Sequence, residues 1–119
     1  NNPSEASLEF EVKSDDKPAI SNLLNYPNPF STFTTFHFDH NQRGGQIQVL
    51  LQIFTITGKL IKTMRFEDMA SGTHFDAFTW DGKDEFGDKL ANGVYIYKVK
   101  LKTEGQPATE TTQKLFILN

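Results

Sequence analysis

Three histidines, His37, His40 and His74, are the side chains best suited to hold a transition metal or carry a proton near neutral pH. His37 and His40 lie three apart in a stretch that alternates apolar and polar residues. A strand sends residues three apart to opposite faces, so only a bend at Asp39 would bring the two rings together. They are expected as solvent-facing histidines at a strand end, with no metal. A second group, Asp81, Asp84, Glu85 and Asp88, has the oxygen-rich character that calcium requires. Its spacing does not match the alternate-position acids of an EF-hand loop, Lys83 and Lys89 dilute its charge, and Asp and Gly serve ordinary turns for backbone reasons alone. No cofactor is expected.

Nucleophilic chemistry fails on inventory. The chain has no cysteine, its serines (Ser4, Ser14, Ser21, Ser31 and Ser71) lack a nucleophile elbow, and no glycine-rich phosphate loop precedes a helix. Fifteen acidic residues make carboxylate pairs unavoidable, so their presence decides nothing about glycoside hydrolysis. Trp80, Tyr95 and Tyr97 could stack against a sugar ring as in a carbohydrate-binding module. A lone Trp beside Asp-Gly at a strand end is better read as a plug between two sheets, its indole N–H satisfied locally. The residues therefore point to a binding or structural domain without catalytic machinery.

The elements that must position these residues are short strands. The 119 residues suffice for one core, and 11 Phe, 3 Tyr and 1 Trp concentrate the apolar area in large rings. Net charge is -3, which offers no basic stripe for phosphates and excludes nucleic acid as a partner class. No apolar run is long enough to insert directly in a bilayer. The start, Asn1-Asn2-Pro3-Ser4-Glu5, lacks the basic-then-apolar layout of a signal peptide and is expected to be the cut edge of a longer protein.

Period-two alternation recurs between Gly, Asn, Asp and Pro breaks. Seven strands are predicted. The first, with Leu8, Phe10 and Val12 on one face, reads equally as a linker. The others cover 33–39, 47–55, 59–66, 73–80, 94–101 and 111–118. Phe36 and Phe38 should share an apolar face opposite Thr35 and His37, and Ile47, Val49, Leu51 and Ile53 should line the inner face of a central strand. In 73–80, Phe75 and Ala77 are set against His74, Phe78 and Trp80. Gly58 is predicted to take the positive φ of a hairpin turn after Thr57. Residues 67–71 alone look helical, and five are too few to nucleate a helix. The pattern favours an all-β antiparallel sandwich of about seven strands, with residues 1–21 a strand or linker from a preceding domain and 22–119 the domain itself.

One motif is sharper than the rest. In Tyr26-Pro27-Asn28-Pro29-Phe30 two prolines fix φ on either side of Asn28, forcing an extended segment and then a turn, with Tyr26 and Phe30 expected to anchor opposite sides of the kink. This segment resembles the Tyr-Pro-Asn-Pro opening of type A sorting domains of the bacterial type IX secretion system. Residues 53–61 around Gly58 resemble that family's central hairpin, Gly93-Val94-Tyr95 its Gly-Val-Tyr strand, and 114–118 its final strand. The order Trp80-Asp81-Gly82, then Gly93-Val94-Tyr95, also resembles the Ig-like domain of flagellar hook-capping proteins, and the longer form of the sorting domain is similar to the C-terminal domain of the gingipain-like sortase component.

The resemblance implies an Ig-like sandwich acting as a C-terminal secretion signal, recognised by the outer-membrane translocon and its shuttle proteins and, in ordinary cargo, by the sortase. It implies passage through the periplasm to the outer membrane and cell surface. The recognition element it implies is the closing segment, Thr111, Thr112, Gln113, Lys114, Leu115, Phe116, Ile117, Leu118 and Asn119, offered as a strand edge for β-augmentation, with 26–30 as a brace. Removing 114–119 is expected to abolish export while the remainder folds. Long edge strands would also serve a dimer.

Overall fold

The computed structural model describes residues 17–119. The strand expected around Leu8, Phe10 and Val12 lies outside the described residues. Among these, seven strands and no helix are found: β1 (Ile20–Tyr26), β2 (Thr34–His40), β3 (Gln46–Thr55), β4 (Leu60–Met69), β5 (His74–Trp80), β6 (Gly93–Lys102) and β7 (Thr109–Ile117). They form two antiparallel sheets, β1-β2-β5 and β4-β3-β6-β7. β1 stands in a segment, Ile20-Ser21-Asn22-Leu23-Leu24-Asn25-Tyr26, whose apolar residues do not alternate. Asn22 takes a positive φ of 56° and the pairing with β2 shifts register between Ser21 and Leu24, so a β-bulge erases the period-two signal. Residues 67–71 are not helical: β4 continues through them to Met69 because β3 pairs with it as far as Gln46↔Met69.

The core lies between the inward faces. Phe36 and Phe38 are buried in β2, as are Ile47, Val49, Leu51 and Ile53 in β3 and Tyr95, Tyr97, Val99 and Leu101 in β6. The sheets meet through rings: Phe36 is edge-on to Tyr97 with centroids 4.8 Å apart, and Phe66 is edge-on to Phe75 at 5.0 Å. In β5 the expected grouping of Phe75 with Ala77, against His74, Phe78 and Trp80, does not hold: Phe75 shares the buried face with Phe78 and Trp80. Phe75 and Phe78 are both buried, and Ala77 is exposed. The register with β2 shifts between Phe36 and Phe38, so Asp76 and Ala77 together oppose the single residue His37. This bulge brings residues three apart onto one face. The hairpin glycine behaves as expected: Gly58 has φ +96° and its N–H donates to Thr55 O at 2.9 Å.

Trp80 is a core plug, 1% exposed, and its indole N–H donates to Lys83 O at 2.8 Å. Tyr95 and Tyr97 are buried too. The three aromatics weighed as a sugar platform therefore face the interior, which removes the residue basis for a carbohydrate-binding reading.

Candidate functional site

The closing strand is built onto the edge of the four-stranded sheet. β7 pairs with β6 without interruption from Gly93↔Ile117 to Leu101↔Thr109. Leu115 and Ile117 point inward at 0% and 3% exposure, while Thr112, Gln113 and Lys114 are exposed. Such alternation follows from the sequence: apolar residues at 115 and 117, polar ones through 109–114.

The other edge of β7 is divided. At its end the proline motif grips it. Asn28 Oδ1 accepts the N–H of Phe116 at 3.0 Å, Phe30 N–H donates to Phe116 O at 3.1 Å, and Leu118 N–H donates to Phe30 O at 2.9 Å. Phe30 thereby forms a parallel bridge with Ile117. Both peptide bonds before the prolines, Tyr26-Pro27 and Asn28-Pro29, are cis. The two aromatic ends do not anchor alike. Phe30 is 3% exposed and packs 5.6 Å from Trp80, whereas Tyr26 is 72% exposed. Gly82, at φ +79°, passes under the Phe30 ring, where a Cβ would lie 3.5 Å from it. The Trp-Asp-Gly and proline motifs, about fifty residues apart in sequence, are thus halves of one packing unit.

Because Phe116 turns both its N–H and its C=O away from β6, the alternation of an antiparallel ladder sends those of Lys114, Thr112 and Glu110 the same way. This gives an open edge of three outward-facing residues beside a clamped end. Around the end, Pro29, Gly93, Val94, Phe116 and Leu118 line an open, largely apolar depression of about 300 Å³. Glu110 sits between Lys98 and Lys100, at 3.9 and 3.8 Å. These exposed pairs set the charge pattern of the edge more than its stability.

Three carboxylates of the acidic loop, those of Asp81, Asp84 and Glu85, accept backbone N–H groups. Asp84 Oδ1 accepts the N–H groups of Phe86 and Asp88, both at 2.9 Å, and Asp81 Oδ1 accepts that of Lys83 at 3.1 Å. Glu85 accepts from Thr63 N–H at 2.9 Å and faces Lys62 at 3.6 Å.

The histidines are arranged differently from expectation. His40 is not solvent-facing: it is 7% exposed, and its Nδ1 accepts the Gln42 N–H at 3.0 Å. Burial holds its imidazole below the ordinary value, against the opposing pull of Asp39. His37 points to the outer face as expected and meets His74 of β5, Nδ1 to Nε2 at 3.1 Å. Sequence reasoning missed this pair because its members are 37 positions apart and meet only through strand pairing.

The geometry defines an immunoglobulin-like β-sandwich with one partly open terminal edge. The profile of the FlgD Ig-like domain matches residues 31–105, and the chain belongs to that family, a non-catalytic type of domain. Among solved structures it is similar to dimeric latent PorU from Porphyromonas gingivalis, with 24% identity, a TM-score of 0.76 and coverage of 90% of this chain and 10% of that one. It is also similar to a β-glucuronidase from Parabacteroides merdae, with 9% identity, a TM-score of 0.65 and coverage of 85% and 13%. The chain thus spans about a tenth of the PorU chain, and these likenesses show the fold. No curated protein matches the sequence. No helix among the described residues is long and apolar enough to cross a membrane.

Proposed function

We propose that this domain is a secretion signal of the type IX kind, which carries a longer parent protein across the periplasm to the outer membrane and cell surface. A component of the export machinery would hold it by adding a strand to β7. The observation that carries the reading is the divided edge. Glu110, Thr112 and Lys114 turn three N–H and three C=O groups outward, a template for β-augmentation in which main-chain bonds give affinity. The four sequence motifs of the sorting domains support it, as does the likeness to PorU, and the translocon, its shuttle proteins and the sortase are the proposed partners. In a parent resembling PorU the domain would remain attached. A second copy of this chain could occupy the same edge.

The test is surface delivery of a reporter fused ahead of the chain in a bacterium that carries the system. Trimming 114–119 does not serve, because Leu115 and Ile117 belong to the core and their loss would unfold the domain. Substitutions confined to the outward edge do serve. Delivery of the unaltered fusion and its loss in folded edge variants is expected, and equal delivery of both would refute the reading.

Membership of the FlgD Ig-like family supports a second reading, a structural module binding sibling subunits. That reading predicts self-association of the purified chain that survives substitutions on the outward edge of β7, and a reporter that stays in the periplasm whatever the state of β7.

A further inference from the structure

We propose that His37, His74 and Asp76 form a surface site for a divalent transition metal of the zinc type, independent of the β7 edge. The three side chains bring their ligand atoms within 4.8 Å of one another on the outer face of the β1-β2-β5 sheet.

Backbone irregularity builds the site. β2 supplies His37. Opposite it the β5 bulge places Asp76 and Ala77 where a regular strand would place one residue, which turns the Asp76 carboxylate toward the rings. Bulges re-aim side chains in this way beside functional sites. On the far side of β2 the β1 bulge, with Asn22 at φ 56°, delivers Asn22 Nδ2 to Asp39 Oδ2 at 2.9 Å. The other oxygen, Asp39 Oδ1, accepts from His74 Nδ1 at 2.8 Å.

This chain of contacts decides the chemistry. With its proton on Nδ1 and shared with Asp39, His74 presents the lone pair of Nε2 to the space beside His37 Nδ1. A carboxylate behind a ligating imidazole fixes tautomer and orientation and raises ligand basicity, as at zinc sites generally. With Asn22 on one oxygen and His74 on the other, the Asp39 carboxylate is held in place behind the His74 ring. The two ring nitrogens stand 3.1 Å apart. With Zn–N bonds of about 2.0–2.1 Å, that separation corresponds to an N–Zn–N angle of about 98°, and opening by a few tenths of an ångström makes it tetrahedral. Two imidazoles and one carboxylate suit zinc, copper or nickel. Calcium and magnesium prefer all-oxygen sets. Bound metal would tie β2 to β5 across the bulge.

The experiment is calorimetric titration of the full chain with Zn²⁺, with Ca²⁺ in parallel, repeated at two pH values because protons compete with a metal for imidazole nitrogen. One Zn²⁺ per chain is expected and no Ca²⁺ response. His37→Ala and His74→Ala should each weaken binding at least about tenfold, and Asp39→Asn, which touches no metal, by about 10–100-fold through the lost orientation of His74. Nitrogen-15 spectra of the imidazoles give an independent readout should a variant fold poorly: Zn²⁺ should shift His37 Nδ1 and His74 Nε2 and leave His40 unmoved. Absence of Zn²⁺ binding at millimolar concentration, affinity unchanged in both histidine variants, or Ca²⁺ binding in preference to Zn²⁺ would each overturn the site.

Discussion

Adjacent residues of β7 should respond oppositely to proline, and the contrast follows from which way each N–H points. Gln113 pairs with Tyr97 in the ladder and turns its backbone toward β6. Gln113→Pro removes that donor, leaves a Tyr97 carbonyl unpaired on a strand whose side chain is 0% exposed, and forces the ring against the neighbouring strand. One lost net hydrogen bond at about 1 kcal/mol and one stranded acceptor at about 1–3 kcal/mol give about 2–4 kcal/mol of destabilisation. At about 4–8 °C per kcal/mol for a domain this small, melting should fall by at least about 8 °C. Thr112 turns its N–H outward, where it has no internal bond to lose, so Thr112→Pro should stay within about 1 kcal/mol of the parent, as proline does on edge strands. To an added strand, however, Thr112→Pro denies one donor, worth about 1 kcal/mol or about a fivefold loss of affinity before any steric penalty. Urea denaturation of both variants, with surface delivery of the fused reporter, separates the two effects. Thr112→Pro as unstable as Gln113→Pro would refute the assigned direction of the edge. A stable Thr112→Pro with undiminished delivery would refute β-augmentation at this strand.

Other perturbations follow from single side chains. Phe30→Ala should cost about 3–5 kcal/mol by denaturation, because a fully buried ring against Trp80 is replaced by a cavity. Faster amide exchange at Phe116 and Leu118 should report the loosened end of β7. Tyr97 is wholly buried and its hydroxyl has no partner among the described residues, so burial pushes that phenol up and Tyr97→Phe should be neutral or stabilising by up to about 1 kcal/mol. Tyr95→Phe, which loses the 2.7 Å bond to Ala91 O, should cost about 1 kcal/mol in the same assay. His40 binds a proton less readily folded than unfolded because it is buried. Its contribution to stability is therefore fully present above its ordinary value of 6.5 and is lost as pH falls through the lower folded value. Melting temperature measured across that window should fall in the parent and flatten in His40→Asn, which keeps an acceptor for the Gln42 N–H.

Six strands and the sandwich were legible because their residues alternate strictly enough for a period-two reading to survive pairing. The exceptions share one cause. At β1 and β5 a bulge adds a residue, so Asn22 hides the first strand and Asp76-Ala77 shift the phase of the fifth. Alternation cannot announce its own interruption. The same bulges create the histidine site, which explains why a search by spacing paired His37 with His40 and not with His74. For the terminal strand, sequence indicated a ribbon edge but not its division, since the Asn28–Phe116 contact spans 88 positions.

That division limits how copies of the chain can pair through β7. A strand arriving at β7 can zip along Glu110, Thr112 and Lys114, and then runs into backbone already occupied by Asn28 and Phe30. A landing of three residues bounded by a wall and carrying charge at both ends admits a single short guest, and gives amyloid-like stacking no uninterrupted rail along which to grow.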